Sequence, residues 1–290
     1  MKKENPVAAA FRKLLQNKLA TLCFVVMLVE ILLVIFAPVF TQYDPNDMQP
    51  IYRLHPGFWA KNGGNYLEGH WLGTDEVGRD IWARLLDGGR VSLRVGFIST
   101  FIGITIGTFF AMLAGYYKKL DNLIMRFMDI LFSFPGVLLA LLIIAMLGIS
   151  TTNATIAISI WSVPSFARMI RGKVLQIKEE EYITAVRSLG ASNFWILTRH
   201  VLINAAPTIV VIATMRIASS IMSIATLSYL GLGVPAPTAE WGGMISSAKS
   251  YMFDAPYLII LPGIAVIITV ICFNILGDKL RDILDPGLKD

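Results

Sequence analysis

The stretch VGFISTFIGITIGTFFAMLAGYY, residues 95–117, decides the fold class. It runs for 23 residues without a charge, and an α-helix of that length rises about 35 Å, enough to cross the ~30 Å hydrocarbon core of a bilayer. Small residues recur at every fourth position: Ser99, Gly103, Gly107, Ala111 and Gly115. Because residues four apart share a helix face, we predict a membrane-spanning helix with one side that another helix packs against closely.

The composition of the whole chain agrees with a membrane protein. The 290 residues are 55% hydrophobic and only 16% charged, whereas soluble domains carry about 25% charged residues. Two cysteines and three histidines, widely separated, argue against a disulfide scaffold and a zinc enzyme, and no metal site is predicted. The net charge of +5 does not indicate nucleic-acid binding, because the basic residues follow the membrane topology and form no basic face.

Six predicted spans divide the chain. The uncharged stretch 130–167 is nearly twice as long as a bilayer requires, so it must fold back, with its turn at 148–153. The predicted spans are 19–40, 95–117, 127–148, 154–169, 208–231 and 257–277. The other predicted parts are a tail (1–18), a loop with an amphipathic helix (41–94), a core domain with five spans (95–277) and a second tail (278–290). The first span is expected to remain as an uncleaved anchor.

The distribution of basic residues predicts the orientation. Of the 25 Lys and Arg residues, 17 fall in the two tails and in the segments that six spans place on the same side as the tails. Cytoplasmic segments of membrane proteins carry an excess of Lys and Arg. We therefore expect both termini in the cytoplasm.

The segment 170–204 is too long for a tight turn and predicts two short helices on the cytoplasmic side. Residues 178–189 contain neither Gly nor Pro, Gly190 interrupts the pattern, and Ser192 is a candidate N-cap for the second helix. The predicted apolar face of that helix comprises Phe194, Leu197 and Val201. Such an element docks into a groove on a partner, or it lies as a loop on lipid headgroups; the residues alone favour neither interpretation.

The sequence EYITAVRSLGASN, residues 181–193, resembles the cytoplasmic signature of the permease subunits of binding-protein-dependent ABC importers. In that family the signature reads Glu-Ala-Ala, three residues, then Gly. Ala185 and Gly190 match it, whereas Thr184 and Val186 replace the Glu and the second Ala, and Ile203 replaces a usual Pro. The resemblance implies a coupling helix that inserts into a cleft on an ATPase subunit. The residues that it assigns to this contact are Glu181, Ala185, Gly190, Ala191, Ser192, Asn193 and Phe194.

Further stretches narrow the resemblance to the peptide and nickel branch of these importers, and to its second, C-type permease. They are HWLGTDEVGRD (70–80), LSYLGLG (227–233), PTAEWG (237–242) and FNILGDKLRDILDP (273–286). The resemblance implies an all-α integral membrane protein with six transmembrane helices in the type I ABC importer permease fold. It also implies transport of short peptides (dipeptide, oligopeptide or glutathione). Residues 214–220 are more similar to the dipeptide and glutathione permeases, whereas 237–241 also resemble nickel permeases, so a nickel or metal-chelate importer is the alternative.

The same resemblance implies partners in the bacterial cytoplasmic membrane. They are a second homologous permease, two ABC ATPases and an extracytoplasmic substrate-binding protein. The chain contains no phosphate-binding loop, since its one Gly-Lys pair (172–173) is followed by Val. We therefore expect ATP and Mg²⁺ to be used by the partner ATPases, with no cofactor and no catalytic residue in this chain. An intramembrane hydrolase fits less well, because His200 lies on the cytoplasmic segment. A passive channel would conduct without ATP, and a mere assembly anchor would lack the polar strip and the docking helix.

Charged residues within the predicted spans are candidates for the translocation pathway. A central Arg in a span costs about 2.5–3.5 kcal/mol unless it has a partner or faces water. Arg216 lies within the fifth span, and the hydroxyl groups within two turns of it belong to Ser219, Ser220 and Ser223. These four residues would form a polar strip suited to a carboxylate or a peptide backbone. Alternatively, Arg216 pairs with Glu30 or Asp129 and only joins helices.

Two charged segments flank the core. In 73–80 four charged residues lie at helical spacings, which predicts that they pair within an amphipathic helix at the outer surface: Asp75, Glu76, Arg79 and Asp80. We predict a structural role for them, and direct contact with the binding protein is the alternative. Just past the sixth span, Arg281 has acidic residues at similar spacings, at positions 278, 282 and 285. We predict a local ion pair for Arg281, and a contact with the ATPase is the alternative.

Overall fold

A computed structural model describes residues 12–63 and 66–284. Within these ranges the chain is helical and has no strand, although isolated bridges join Pro56 to Gly73 and Thr74 to Asp80. The longer helices are α1 (Lys18–Ile35), α2 (Ile81–Tyr116), α3 (Lys118–Ser133), α4 (Gly136–Leu147), α5 (Thr151–Lys178), α6 (Glu181–Ser188), α7 (Asn193–Tyr229), α8 (Trp241–Ser247) and α9 (Tyr257–Leu284). Short helical turns occur at Ala37–Phe40, Pro50–Tyr52, Phe58–Gly63 and Ala248–Tyr251. Residues 1–11 and 285–290 of the predicted tails lie outside the described residues.

In the part of the chain that the structure describes, four helices are long and apolar enough to cross a bilayer: α1, α2, α7 and α9. The pair α3 and α4 passes the same test as one element, although its halves are bent by 88°. Helix α5 has 28 residues, which corresponds to about 42 Å, and it packs along α2. Each predicted span falls on one of these elements, but the length and hydropathy test gives four spans, or five if the bent pair is one span, and α5 does not meet it. The predicted all-α membrane fold is confirmed.

The small residues of α2 form its contact with α5. All five of those predicted to share a face are buried. A Cβ atom on Gly107 would lie 2.5 Å from Cβ of Phe166 and 3.1 Å from the backbone N of Ala167, and one on Gly115 would lie 2.6 Å from a methyl carbon of Val174. The two helices therefore meet almost backbone to backbone, as the spacing of four predicts.

Replacing Gly107 with Leu should destabilise this contact. The added side chain has no space against Phe166, and overpacking of a tight contact costs about 1–3 kcal/mol. We expect a lower melting temperature of the detergent-purified chain, measured by gel filtration after heat steps. Gly263→Leu is the matched control, because nothing lies within 4 Å of a Cβ at Gly263. An equal loss in both variants would contradict the packing argument.

The predicted end of the first span and the predicted start of the second are wrong. The first span is not one helix over 19–40, because α1 ends at Ile35 and a short turn, Ala37–Phe40, follows. Pro38 has no N–H to bond a carbonyl one turn earlier, so the ladder breaks there. Conversely, α2 begins at Ile81, well inside the predicted loop 41–94, and the Asp80 carboxylate caps it by accepting from the Ala83 N–H at 2.7 Å.

The amphipathic helix predicted within 73–80 is also wrong, although its ion pairs form. Arg79 lies 2.6 Å from Asp75 and 3.1 Å from Glu76. The backbone instead makes a turn, with φ of +83° at Gly73 and +84° at Gly78. Both angles lie in the left-handed region, which a right-handed helix excludes and which Gly adopts readily.

The bend between α3 and α4 lies at Pro135, where the sequence predicts a bend. The residue before a proline is disfavoured in the α conformation, and Phe134 is extended, with ψ of 132°. On the other side of the bend, a Cβ on Gly136 would overlap the indole of Trp161 in α5. Trp161 is thereby held against the bend.

The helices at the fourth and sixth predicted spans are longer than the apolar pattern indicates. Helix α9 begins at Tyr257 as predicted but continues past 277 to Leu284, so the first part of the predicted tail is helical. Helix α5 likewise continues past 169 to Lys178. A hydrophobic stretch shows only which part of a helix is suited to lipid. The helix itself continues until its backbone hydrogen bonds are interrupted.

Candidate translocation cavity and coupling segment

A cavity of about 440 Å³ lies among α5, α7 and α9. Its wall contains the four polar residues predicted for a pathway: Arg216, Ser219, Ser220 and Ser223. It also contains polar residues that the sequence analysis did not identify, namely Trp161 and Ser162 of α5 and Asn274 of α9. These come from helices distant in the sequence, so no local pattern could assign them to the site.

Arg216 is partly buried and has no carboxylate partner among residues 12–63 and 66–284. Its guanidinium carbon lies 5.5 Å from the centre of the Phe166 ring, a favourable cation–π contact. The carboxylates considered as alternative partners are engaged elsewhere: Asp129 pairs with Arg168 at 2.7 Å, and Glu30 accepts a hydrogen bond from Thr269. A cation at the wall of a cavity without a described counterion is available to an anionic ligand.

The three serines differ in their surroundings. Ser220 is buried, and its hydroxyl bonds that of Thr100 in α2 at 3.1 Å, so it ties α7 to α2. Ser223 donates to the carbonyl oxygen of Ser219 at 2.8 Å. Ser219 itself is exposed at the wall, which makes its hydroxyl the most accessible of the three beside Arg216.

The predicted coupling segment consists of α6, a turn at Gly190 and the start of α7. Gly190 has φ of +86°, and the Ser192 hydroxyl caps the next helix by accepting from the Trp195 N–H at 3.3 Å. The predicted break and N-cap are therefore confirmed. The predicted second short helix, however, is not separate: Asn193–Trp195 continues through a π-helical stretch, Ile196–Val201, into the membrane-spanning part of α7.

One side of this segment is anchored and the other is exposed. Ile183, Ile196 and Val201 are fully buried, and the Tyr116 hydroxyl at the end of α2 donates to the Asn193 side-chain oxygen at 2.7 Å. Of the seven predicted coupling residues, Ala191 is partly buried and the other six are exposed.

Exposed apolar side chains flank the turn at Gly190. Leu189 is 87% exposed and Phe194 is 76% exposed. Phe194 does not share the buried face of Leu197 and Val201, because π-helical turns hold more than four residues and a spacing of seven no longer repeats the face. The result is a rigid base that displays apolar groups, which is what a docking element requires.

A hydrogen bond joins α6 to α7 beside the turn. The Tyr182 hydroxyl accepts from the Asn204 side-chain amide at 3.1 Å. Burial raises the pKa of Tyr182, and the nearby Glu180 carboxylate adds to the effect. The phenol therefore stays protonated at neutral pH, and the link between the two helices does not titrate there.

Comparisons with known proteins agree with this architecture. Residues 103–290 match the family described as the binding-protein-dependent transport system inner membrane component, and residues 5–56 match the N-terminal TM domain of oligopeptide transport permease C. The glutathione transport system permease protein GsiD of Pectobacterium atrosepticum is 42% identical over 280 residues, covering 96% of this chain and 90% of that protein. GsiD of Escherichia coli O6:K15:H31 is 44% identical over 267 residues, covering 92% and 85%.

Solved structures show the same fold at low identity. A chain of the MetNI methionine ABC transporter in an inward-facing conformation superposes with a TM-score of 0.59 at 22% identity, over 70% of this chain and 97% of that one. An amino acid ABC transporter with histidines gives a TM-score of 0.53 at 18% identity, over 67% and 91%. The predicted type I importer permease fold is confirmed. The chain belongs to the inner-membrane components of binding-protein-dependent transport systems, the permease subunits of ABC importers.

Proposed function

We propose that this chain is one of two homologous permeases that together carry glutathione or a similar short peptide across the bacterial cytoplasmic membrane. The observation that carries the proposal is Arg216, a partly buried guanidinium with no described carboxylate partner at the wall of a membrane cavity. A peptide offers it a carboxylate, and Ser219 and Asn274 line the same cavity for the peptide backbone. The relatives named as glutathione transport permeases, 42% and 44% identical, support this cargo.

The coupling segment is proposed to contact a partner ATPase in the cytoplasm, which places both termini on that side. The residues of this contact are those at 181, 185 and 190–194, with Phe194 as the main apolar contact. Because α7 runs unbroken from Asn193 to Tyr229, a displacement at Phe194 is transmitted to Arg216, about 33 Å further along the helix. Closure of the ATPases would thereby switch the cavity between inward and outward access.

In this mechanism the partner subunits hydrolyse ATP. They would bind ATP and Mg²⁺, and an external binding protein would deliver the peptide to the outer mouth of the pathway. This chain would contribute binding and orientation of the substrate, with no catalytic residue.

Transport by the assembled complex in liposomes tests the proposal. We expect ATP-dependent, saturable uptake of tritiated glutathione, weaker uptake of dialanine and no uptake of ⁶³Ni²⁺. The control is the same complex with an ATPase subunit that cannot hydrolyse ATP. Nickel uptake without glutathione uptake would instead establish the metal-chelate importer, and uptake that does not require ATP would indicate a passive channel.

A further inference from the structure

A second cavity, of about 610 Å³, lies at the end of the same three helices that is nearer to the coupling segment. It is separate from the cavity that contains Arg216. Its polar lining consists of Lys173 and Gln176 from α5, Asn204 and Thr208 from α7, and Arg281 from α9. Among residues 12–63 and 66–284, its wall therefore carries two cations and no acidic residue.

Neither cation has a carboxylate partner among the described residues. The Lys173 ammonium lies 3.5 Å from the side-chain oxygen of Gln176, which is neutral. The local ion pair predicted for Arg281 does not form with Asp278 or with Asp282, and Asp282 pairs instead with Lys279 at 2.7 Å. The third acidic position, 285, lies outside the described residues. Two like charges at one concave wall raise its positive potential and concentrate anions there.

Both cavities use the same face of each helix. Ser162 and Lys173 are eleven residues apart on α5, which is three turns, and Asn274 and Arg281 are seven apart on α9, which is two turns. The step from Ser162 to Lys173 corresponds to a rise of about 17 Å. The cavities are thus two levels of one groove along α5, α7 and α9.

A thin layer separates the two levels. Met215 lines the second cavity, whereas its neighbour Arg216 lines the first. Cγ of Met215 lies 2.5 Å from the position of a Cβ on Gly277, so α7 and α9 touch at this layer. Methionine is flexible and repacks easily, so the layer can open without a large rearrangement.

We propose that the cavity with Lys173 and Arg281 is a second anion-binding station of the pathway, which receives the carboxylate of the substrate after Arg216. This inference rests on the proposed function and makes its substrate class more specific: a small peptide with more carboxylates than ammonium groups. A second station of the same charge pairs the carboxylate again when it has moved along the groove from the level of Ser162 to the level of Lys173. Sites that are several and individually weak also allow release, as conduction through a pore requires.

The test uses the double variant Lys173→Gln, Arg281→Gln in the assembled transporter, in phosphatidylcholine liposomes. Charge-assisted hydrogen bonds are roughly twice as strong as neutral ones. We expect the maximal rate of glutathione uptake to fall about tenfold. The rate of dialanine uptake should change by less than about twofold, because dialanine has equal numbers of carboxylates and ammonium groups. The matched control is the double variant Arg168→Gln, Lys279→Gln, which also removes one cation from α5 and one from α9. These two cations pair with Asp129 and Asp282, and neither lines a cavity.

Several results would contradict the proposal of a second anion-binding station. Glutathione uptake that is unchanged in the double variant, or uptake of both peptides that falls equally, would show that the two cations do not select anions. A loss seen only in liposomes that contain phosphatidylglycerol would assign the cavity to a lipid headgroup. If the wild-type complex imports glutamyl-alanine and dialanine but no glutathione, glutathione is excluded as the cargo, and the comparison of these two dipeptides decides the station in the same way.

Discussion

Replacing Phe194 with Asp should abolish ATP-driven uptake and reduce the amount of ATPase that co-purifies with the transporter by more than about 30-fold. Phe194 is 76% exposed, yet its backbone is held by the Ser192 cap and by the bond from Tyr116 to Asn193. A buried aromatic anchor contributes about 2 kcal/mol or more to an interface, and an aspartate in the same cleft adds the cost of an unpaired charge. The fold is not at risk, because the side chain has little contact with the rest of the chain.

The matched control is Phe253→Asp. Phe253 is 90% exposed and lies just before α9, at the opposite end of that helix from Leu284. We expect this variant to co-purify with normal amounts of ATPase, which would show that the loss depends on the position and not on a surface aspartate. Normal co-purification of Phe194→Asp would remove the coupling proposal.

Replacing Arg216 with Ala should lower glutathione uptake up to about 100-fold without loss of the assembled complex. The loss of uptake is expected because a hydrogen bond to a charged group contributes about 1.5–3 kcal/mol. The complex should remain assembled because, within the described residues, no carboxylate forms an ion pair with Arg216. Arg216→Lys should restore part of the activity, because it keeps the charge but not the forked geometry that matches a carboxylate. Uptake in liposomes measures the first effect, and gel filtration measures assembly.

Arg168→Ala provides the comparison for this variant. Arg168 is exposed and pairs with Asp129 at 2.7 Å, and such surface pairs contribute at most about 1 kcal/mol, so we expect nearly normal uptake. Dissociation of the complex in Arg216→Ala would mean that Arg216 joins helices. Failure of Arg216→Lys to restore any uptake, with the complex intact, would mean that Arg216 positions α7 and does not bind the carboxylate.

The features that could be predicted are local or lie on a single face. The uncharged run at 95–117 predicts a span because lipid excludes unpaired charge, and the spacing of four predicts the packing of Gly107 because one helix face repeats at that interval. The cap at Ser192 and the turn at Gly190 depend only on their nearest neighbours. Arg216 could be identified because a charge within a span is rare.

The rest depends on contacts between distant segments. The sequence by itself determined that this chain is a bundle of membrane helices with a polar strip on the fifth span. Only the tertiary structure decided that Trp161 and Asn274 join Arg216 around a cavity, and that Lys173 and Arg281 meet in a second cavity while Asp282 pairs with Lys279. The physical reason is that hydropathy and helical spacing act along one helix, whereas a cavity and its charge balance arise where faces of three helices meet.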